Sequence, residues 1–415
     1  MQLRYNFRIS PTPGQRSALA RAFGCVRVVY NDALRIREDA RKGGLPFVTS
    51  AELSKRLTAS KRTEPRAWLG EVSSVVLQQS LRDLDTAYKN FFDGLNGKRP
   101  RVGAPRFKSR RDNRQTIRFT ANARWKTTPG GRLRLPKIGD IPVTWSRALP
   151  STPSTVTVAK DAAGRYFASF VVETDPAADL ERMPTTADEV GIDLGLAHFA
   201  VLSDGRKVSA PKFFRRAERK LRKAQQNLAR KTKGSNNRKK AVVKVARAHA
   251  HAANARRDFH HKLSTTIVRE NQAVYVEDLA VKGLARTRLA KSVHDAGWSA
   301  FVSMLEYKTD RYGRVFARVD RFFPSSRLCS ACGFKDGPKP LDVREWTCQG
   351  CETVHDRDVN AAVNIKTEGR RVAAGQAETV NGRGAQVSPR SVPAPRDEAA
   401  THRDGQSTVV GILAL

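Results

Sequence analysis

The sequence predicts a multi-domain α/β protein. Its 415 residues correspond to about three domains. Stretches with the two-residue period of strands alternate along the chain with stretches of helical periodicity. A hydrophobic content of 40% is sufficient for buried cores and excludes a wholly disordered chain.

The N-terminal half combines strands with helices. Residues 2–10 alternate as a strand does, and the segment that begins at "TPGQ" predicts a helix. Helical spacing of apolar residues continues over residues 45–95. A segment rich in Pro, Gly and Arg then occupies residues 98–118, and residues 155–174 predict a hairpin that turns at Asp161 to Gly164.

The C-terminal half begins near Val190, after a polar linker. Two strands around a Ser-Asp-Gly turn are followed by two amphipathic helices over residues 211–263 and by a strand at 273–281. The pattern "WSAFVSMLEYKTDRYG" predicts a helix, and residues 359–366 predict another. The segment 369–415 is rich in Gly, Ser, Pro and Arg, which is typical of a disordered tail.

Net charge is the most extreme property of the composition. Lys and Arg number 76 against 40 Asp and Glu, which gives a formal net charge of +36. Such a surplus indicates a polyanionic partner, in the first place nucleic acid. Residues 211–263 hold 18 Lys and Arg against only Glu218 and Asp258, so they are expected to follow phosphates. A basic protein without sequence specificity and a plain helical hairpin are the alternatives.

Targeting and membrane segments are not evident in the sequence. The N-terminal residues lack the apolar core of a secretory signal, and no apolar run approaches the roughly 18 residues of a membrane helix. We therefore expect a cytoplasmic protein with no membrane partner. Cys25 stands alone in an apolar helix and is expected in the core.

The other four cysteines have the spacing of a structural zinc site. Cys329 and Cys332 form one Cys-x2-Cys pair, and Cys348 and Cys351 form a second pair 15 residues further on. Two such pairs supply the four thiolates of a tetrahedral Zn²⁺ site, which leaves no position open for water. One structural zinc ion is therefore predicted, and His355 is not needed as a ligand. Two disulfides or unmetallated thiols are the alternatives.

Two acidic residues lie in strands that are otherwise apolar. In "VGIDLGL", Asp193 is predicted to face away from the apolar side chains, on a surface that Gly191 and Gly195 leave bare for a metal and a phosphate. Glu277 ends the strand "AVYVE". Because an unpaired buried charge is costly, a shared divalent cation is predicted. Asp193 alone also fits a turn residue, and Glu277 alone fits an ion-pair partner.

A third acid comes from the segment "HDRDVNAAVNI". Asp356 is predicted to cap a helix, and Asp358 to lie in its first turn, where an acid is also favourable for the helix dipole alone. Carboxylates from two strands and a helix can hold two Mg²⁺ ions about 3.5–4 Å apart, which promote phosphodiester hydrolysis. Oxygen ligands favour Mg²⁺, or Mn²⁺, over zinc. Asp278 is expected to face the opposite side of its strand.

Several short segments carry a resemblance to a known family. They are "AFGCVRVVYNDAL", "LQQSLRDLDTAYKNFF", "PRFKSRR", "GIDLGL", "VEDLAVKGL", "DAGW", "FFPSSRLCSACGFK", "WTCQGC" and "HDRDVNAAVNI". In order and spacing they resemble the TnpB (OrfB) family, transposon-encoded proteins related to compact type V CRISPR effectors. The resemblance spans about residues 1–366, and the tail lies outside it.

The resemblance implies a RuvC-like (RNase H-like) nuclease domain with an inserted four-cysteine zinc ribbon, behind a wedge β-barrel with a helical recognition insert. The expected ranges are 1–40 and 101–185 for the wedge domain, 41–100 for the insert, 186–368 for the nuclease domain, 325–353 for the ribbon and 369–415 for the tail.

The resemblance also implies an activity: RNA-guided cleavage of double-stranded DNA beside a short transposon-associated motif. The guide RNA derives from the transposon end, and a monomer associated with a prokaryotic nucleoid is expected. By motif matching, Asp193, Glu277 and Asp358 take the catalytic positions that bind two Mg²⁺ ions. The four cysteines take the positions that bind one Zn²⁺ ion.

Contacts with nucleic acid are predicted on two grounds. A duplex of guide and target needs a positively charged channel that recognises shape, and residues 98–118 and 211–263 are expected to line it. The adjacent motif requires polar side chains that reach base edges. The candidates are Arg106, Lys108, Arg215, Arg219 and Arg222 for the channel, and Gln78, Thr120 and Asn122 for the motif, although each of these last three also fits an ordinary polar residue.

Three rival functions share parts of this pattern. They are a guided repressor that binds without cutting, a zinc-ribbon RNA-binding protein whose acids are structural, and a strand-joining transposase or its accessory protein. The complete set of three acids argues against the repressor. The sequence contains no P-loop, nucleophile elbow or HExxH motif.

Overall fold

The computed structural model describes residues 2–112, 114–181, 183–340 and 342–381, and the chain divides into two units between Thr174 and Asp175. This division falls before the expected boundary at 185/186. Residues just beyond it belong to the second unit, because Leu180 packs against Gly313, and the guanidinium of Arg314 donates a hydrogen bond to the carbonyl of Pro184.

The first unit contains a seven-stranded antiparallel sheet. Its strands are β1 (Gln2–Ile9), β2 (Gln115–Thr120), β3 (Lys126–Thr127), β4 (Arg132–Leu135), β5 (Gly139–Thr144), β6 (Thr155–Lys160) and β7 (Tyr166–Glu173). They lie in the order β2-β6-β7-β1-β5-β4-β3. Among the described strands β2 and β3 are the two ends of this order, so closure into a barrel stays a prediction. The predicted hairpin of β6 and β7 is confirmed.

Three α-helices pack with this sheet: α1 (Pro13–Lys42), α2 (Ser50–Ser60) and α3 (Ser74–Leu95). Helix α1 begins with a capping box, in which Thr12 and Gln15 each accept a hydrogen bond from the backbone of the other. Short 3₁₀ helices lie at Glu64–Glu71 and Ala121–Ala123. The buried alternate residues of β1 join α1 and α3 in one hydrophobic core, which also contains Cys25, as predicted.

The second unit contains a five-stranded mixed sheet. Its strands are β8 (Glu189–Asp193), β9 (His198–Leu202), β10 (Lys207–Ser209), β11 (Ala273–Glu277) and β12 (Val315–Val319). They lie in the order β10-β9-β8-β11-β12. Strand β11 pairs in parallel with β8 and with β12, whereas β9 pairs antiparallel with β8 and with β10. A separate two-stranded sheet pairs β13 (Glu345–Thr347) with β14 (Val354–Asp356).

Helices cover both faces of the mixed sheet. The α-helices of this unit are α4 (Pro176–Leu180), α5 (Phe213–Ala229), α6 (Asn236–Glu270), α7 (Val281–Leu284), α8 (Ala290–Ala296), α9 (Trp298–Arg311) and α10 (Arg357–Asn381). One face of β8 and β11 forms a core with α6 and α9, and the other face packs against α10 through Ile365 and Tyr275. In the described part of the chain no helix has the length and hydropathy of a membrane span.

The C-terminal helix is longer than the sequence predicted. The pattern gave a helix at 359–366 and a disordered tail from 369, whereas α10 begins at Arg357 and continues to Asn381. The reason is packing: Ile365 is fully buried, and the side chain of Tyr275 lies directly against Gly369. The rest of the predicted tail, 382–415, lies outside the described residues.

Candidate active site and metal centre

Helix α10 lies directly on strand β8 at Gly191. A Cβ atom at this position would lie 2.1 Å from the carbonyl oxygen of Ala362 and 2.5 Å from the backbone nitrogen of Lys366. The prediction that Gly191 leaves bare surface for a metal is therefore wrong, because the backbone of α10 covers it. The glycine instead allows a helix and a strand to approach without an intervening side chain.

Asp193 and Glu277 lie side by side at the carboxyl ends of two parallel strands. Tyr275 on β11 is in register with Gly191 on β8, so the acids two residues further along each strand end next to each other and point to the same face. Glu277 Oε1 also accepts a hydrogen bond of 3.3 Å from the backbone N–H of Leu194. Ligands of open α/β sheets bind at this edge.

Burial and the negative charge of neighbouring acids define the electrostatics of Asp193, and burial defines that of Glu277. Burial raises the pKa of Asp193 well above its usual value, and the negative charges of Glu277 and Asp358 raise it further. Burial also raises the pKa of Glu277. A carboxyl group in such surroundings favours either a proton or a cation.

Asp358 reaches the same edge from the first turn of α10. The helix begins there because Asp356 accepts hydrogen bonds from the backbone N–H groups of Asp358 (3.1 Å) and Val359 (2.9 Å). The predicted cap is confirmed. Lys207 pairs with the same Asp356 carboxylate. The negative charge of Asp358 contributes to the raised pKa of Asp193, so the first turn of α10 brings this acid toward the other two.

Two basic side chains that the sequence did not single out lie beside Asp358. Arg344 Nη1 is 3.4 Å from both carboxylate oxygens of Asp358, and His198 Nδ1 is 3.9 Å from Oδ2. Arg344 comes from the zinc-ribbon hairpin and His198 from β9. In the sequence Arg344 is notable only for lying near "WTC", and His198 only for lying near "GIDLGL". Neither position tells which way the side chain points.

The donor set of this cluster fits divalent cations that prefer oxygen. Asp193, Glu277 and Asp358 offer carboxylate oxygens only, the chemistry that suits Mg²⁺ and Mn²⁺. Among the described residues, only the four cysteines place all their ligand atoms within 4.8 Å of one another. The three carboxylates are not drawn together around a single point in this way, and two ions about 3.5–4 Å apart are the arrangement that such a set serves in two-metal enzymes.

The four cysteines form one compact cluster, in which all the sulfurs lie within 4.8 Å of one another. Cys329 Sγ lies 3.6 Å from Cys351 Sγ, and Cys332 Sγ lies 3.7 Å from Cys348 Sγ. A tetrahedron with Zn–S bonds of about 2.3 Å requires sulfurs about 3.8 Å apart. The sulfur positions therefore fit one zinc ion without rearrangement.

Two equivalent turns produce this geometry. In the first, the N–H of Gly333 donates to the carbonyl of Cys329, and in the second the N–H of Glu352 donates to that of Cys348, both at 2.9 Å. Gly333 and Glu352 have φ values of 75° and 59°, in the left-handed region. Each pair of thiols thus projects from one tight turn.

His355 contacts the zinc site without being needed as a ligand. Its Nε2 lies 3.0 Å from Cys329 Sγ, and its ring packs against Trp346. Asp278, also expected to stand apart from the acids, forms an ion pair with Arg321. His355, Asp356 and Asp358 therefore have three different surroundings within four residues.

The candidate nucleic-acid contacts are distributed over both units. In the first unit Gln78 donates to Ser54 Oγ at 2.9 Å, and Thr120 donates to Asn122. Arg106 is exposed, and the ammonium of Lys108 lies 3.9 Å from the ring centre of Tyr30. Gln78 thus joins α3 to α2.

In the second unit the candidates lie on α5. Arg215 donates to Ser292 Oγ at 2.9 Å, Arg222 pairs with Glu218 at 3.2 Å, and Arg219 is exposed. Glu218 also pairs with Lys291, and Asp258 with Lys262. Both acids of the basic segment are therefore neutralised locally, which leaves a large excess of positive charge.

The fold and the two centres define a class: a multi-domain α/β protein with a four-cysteine ribbon next to a carboxylate cluster. Three family models match the chain, described as "Helix-turn-helix domain" (OrfB_IS605) at residues 1–45, "Probable transposase" (OrfB_IS605) at 169–288 and "Cas12f1-like, TNB domain" at 298–365. The chain belongs to the TnpB (OrfB) family.

Relatives extend over nearly the whole chain. A protein of Streptomyces pristinaespiralis named "Putative RNA-guided DNA endonuclease" is 45% identical over 99% of this chain and 98% of its own length. Escherichia coli K12 "Putative RNA-guided DNA endonuclease InsQ" is 30% identical over 89% of this chain and 93% of its own.

A solved structure shows the same fold. The protein in the "Cryo-EM structure of the Cas12f1-sgRNA-target DNA complex" matches with a TM-score of 0.50 at 15% identity, over 85% of this chain and 82% of that chain. The chain therefore has a Cas12f1-like fold.

Proposed function

We propose that this chain is an RNA-guided DNA endonuclease that cleaves double-stranded DNA beside a short transposon-associated motif. The observation that carries the proposal is the convergence of Asp193, Glu277 and Asp358 at the carboxyl edge of the mixed sheet. Relatives named for this activity cover nearly the whole chain and support it. The second unit would be RuvC-like, and a nucleoid-associated location in a prokaryote would follow from the substrate.

The three carboxylates would hold two Mg²⁺ ions, which supply an activated water and stabilise the leaving oxygen of a phosphodiester. The protein contributes position and charge. Gly191 lets α10 lie on β8, Asp356 fixes the first turn of the helix, and Leu194 orients Glu277. Arg344 and His198 place basic groups beside Asp358, on the side from which an anionic backbone would be attracted.

The partners would be a guide RNA from the transposon end and a DNA target. The excess positive charge of residues 211–263 supports this proposal, because a guide–target duplex is bound mainly through its phosphates. Sequencing the RNA that co-purifies with the protein tests it directly. A uniform species that ends in transposon-flanking sequence is expected, whereas a random sample of cellular RNA would contradict guidance.

Cleavage is tested with the ribonucleoprotein and a plasmid that carries a matched target. The wild-type protein is expected to cut in Mg²⁺, and Asp193→Ala to bind the plasmid without cutting. Asp278→Asn is the matched control, because this neighbouring carboxylate is paired with Arg321, and it should cut normally. Cleavage by Asp193→Ala would refute the site.

The same experiment separates the rival functions. Target retention without nicks in the wild-type protein would indicate a guided repressor. Binding that needs neither Mg²⁺ nor target complementarity would indicate an RNA-binding protein with structural acids, and joined DNA products would indicate a transposase.

A further inference from the structure

Two buried asparagines connect α10 to the first turn of the zinc site. Asn360 Nδ2 donates to the carbonyl of Leu328 at 2.7 Å, and its Oδ1 accepts from the N–H of Ser330 at 2.8 Å. Asn364 Nδ2 donates to the carbonyls of Ser325 (2.8 Å) and Leu328 (2.7 Å). Asn360 is 2% exposed and Asn364 is 7% exposed, so these hydrogen bonds are shielded from solvent.

The two asparagines occupy a different face of α10 from the residues that pack on the sheet. Asp358, Ala362 and Gly369 follow helical spacing along the face that lies on β8 and β11. Asn360 and Asn364 are four residues apart and point to residues 325–330 instead. The first two turns of the helix are therefore held from two directions, by the sheet and by the zinc ribbon.

Further contacts join the ribbon to the beginning of α10. Strand β14 leads directly into the helix, and its His355 contacts Cys329. The backbone N–H of Arg357 donates to the carbonyl of Arg344 at 2.8 Å. Helix ends open most easily, and Asp358 lies in the first turn of this one. The contacts of the ribbon with this end of α10 therefore affect the position of the Asp358 carboxylate.

We propose that Asn360 and Asn364 are positioning residues of the carboxylate centre, through which the zinc ribbon sets the place of Asp358 and the affinity of the centre for divalent cations. This inference rests on the proposed function, because it assumes that Asp358 binds a catalytic cation. It gives the ribbon a role in catalysis beyond its own stability. Outer partners that orient metal ligands typically change metal affinity by about 10–100-fold when they are removed.

The test measures Mn²⁺ binding by electron paramagnetic resonance on the RNA-bound protein without target DNA. Asn360→Ala, Asn364→Ala and the double variant are compared with Asn271→Ala. Asn271 is buried to a similar degree, its side chain donates to the carbonyl of Ile267 in the C-terminal turn of α6, and it lies at the end of β11 away from Glu277. Zinc content and the melting temperature are measured in parallel.

We expect the half-saturating Mn²⁺ concentration to rise about 10–100-fold in the double variant, with one zinc ion retained per chain. Cleavage in Mg²⁺ should slow, and saturating Mn²⁺ should restore part of the rate. Asn271→Ala should lower the melting temperature without changing Mn²⁺ affinity. Unchanged Mn²⁺ affinity in the double variant would overturn the proposal.

A second pair of variants covers loss of folding. The double alanine variant could lose zinc or fail to fold. In that case Asn360→Ser and Asn364→Ser, which keep a shorter hydrogen-bond donor, are titrated with Mn²⁺ instead, and their Mn²⁺ affinity decides the question. Asp193→Ala separates this inference from the proposed function. If the wild-type protein and Asp193→Ala bind Mn²⁺ equally, the proposed function fails. If only wild type binds and the asparagine variants match it, only this inference fails.

Discussion

The cysteine centre and the carboxylate centre lie in the same unit but are assembled in opposite ways. The four cysteines come from one segment, Cys329–Cys351, and two tight turns place sulfurs 3.6 and 3.7 Å apart. The three acids come from β8, β11 and α10, and burial together with the negative charges of Glu277 and Asp358 raises the pKa of Asp193. One centre has its geometry from local turns, whereas the other depends on how distant elements pack.

This difference indicates what each centre is for. Four thiolates would close the coordination shell of a zinc ion, which would then serve structure. Three carboxylates would leave coordination positions open on a bound cation, which a metal that binds substrate requires. Helix α10 connects the two, because its first turns contact the ribbon through Asn360 and the sheet through Ala362.

The largest effect is expected from breaking the local centre. Cys348→Ser removes a buried thiol of the four-cysteine cluster, and structural zinc contributes on the order of 10 kcal/mol to small zinc domains. We expect loss of zinc and rapid hydrogen exchange over about residues 325–365, followed by loss of cleavage because α10 loses its support. Zinc content by mass spectrometry and exchange rates measure both.

A buried cysteine in the first unit provides the control. Cys25→Ser is expected to weaken that core without changing zinc content. An unchanged melting profile of the wild-type protein after zinc removal would contradict a structural ribbon.

A smaller effect is expected from disturbing the packing of the distant elements. In Gly191→Ala the new methyl group meets the backbone of α10 at Ala362 and Lys366. Overpacking of this kind costs about 1–3 kcal/mol, and α10 must move away from β8, which separates Asp358 from Asp193. We expect lower stability in denaturant titrations and cleavage at least about tenfold slower, because misplaced catalytic groups lose rate steeply.

The control for this variant is Gly283→Ala, because a Cβ at Gly283 meets nothing within 4 Å. It should retain both stability and cleavage. Normal cleavage by Gly191→Ala would show that close packing at this position is not needed to assemble the site.

The local centre and the order of the elements could be predicted from the sequence. Cys-x2-Cys spacing specifies a turn by itself, and Asp356 was recognisable as a cap because capping depends on neighbouring residues only. The strand that ends at Glu277 was equally clear from its apolar run.

Contacts between elements that are far apart in the chain could not be predicted from the sequence. Gly191 was interpreted as free surface, although glycine serves equally where a helix approaches a strand. The continuation of α10 to Asn381 depends on contacts such as that of Gly369 with Tyr275, which lie far apart in the chain. The same reason hid Asn360 and Asn364, whose partners are backbone carbonyls of another segment.

The smallest effect is a gain in stability from relieving the repulsion between the acids. Asp193→Asn removes a charge that burial, Glu277 and Asp358 all disfavour. In magnesium-free buffer without a chelator, which keeps the zinc in place, we expect the variant to melt about 2–4 °C above the wild-type protein at pH 8. Cleavage should be lost.

The difference in melting temperature between Asp193→Asn and the wild-type protein should depend on pH and on Mg²⁺. Because folding raises the pKa of Asp193, the wild-type protein loses stability as the pH rises through that raised value, whereas the variant does not. The difference should therefore shrink as the pH falls below it and the wild-type carboxyl is protonated. Added Mg²⁺ should reverse the order, since it stabilises only the protein that binds it. If Asp193→Asn instead melts below the wild-type protein in magnesium-free buffer at pH 8, the charge of Asp193 does not destabilise the metal-free carboxylate centre.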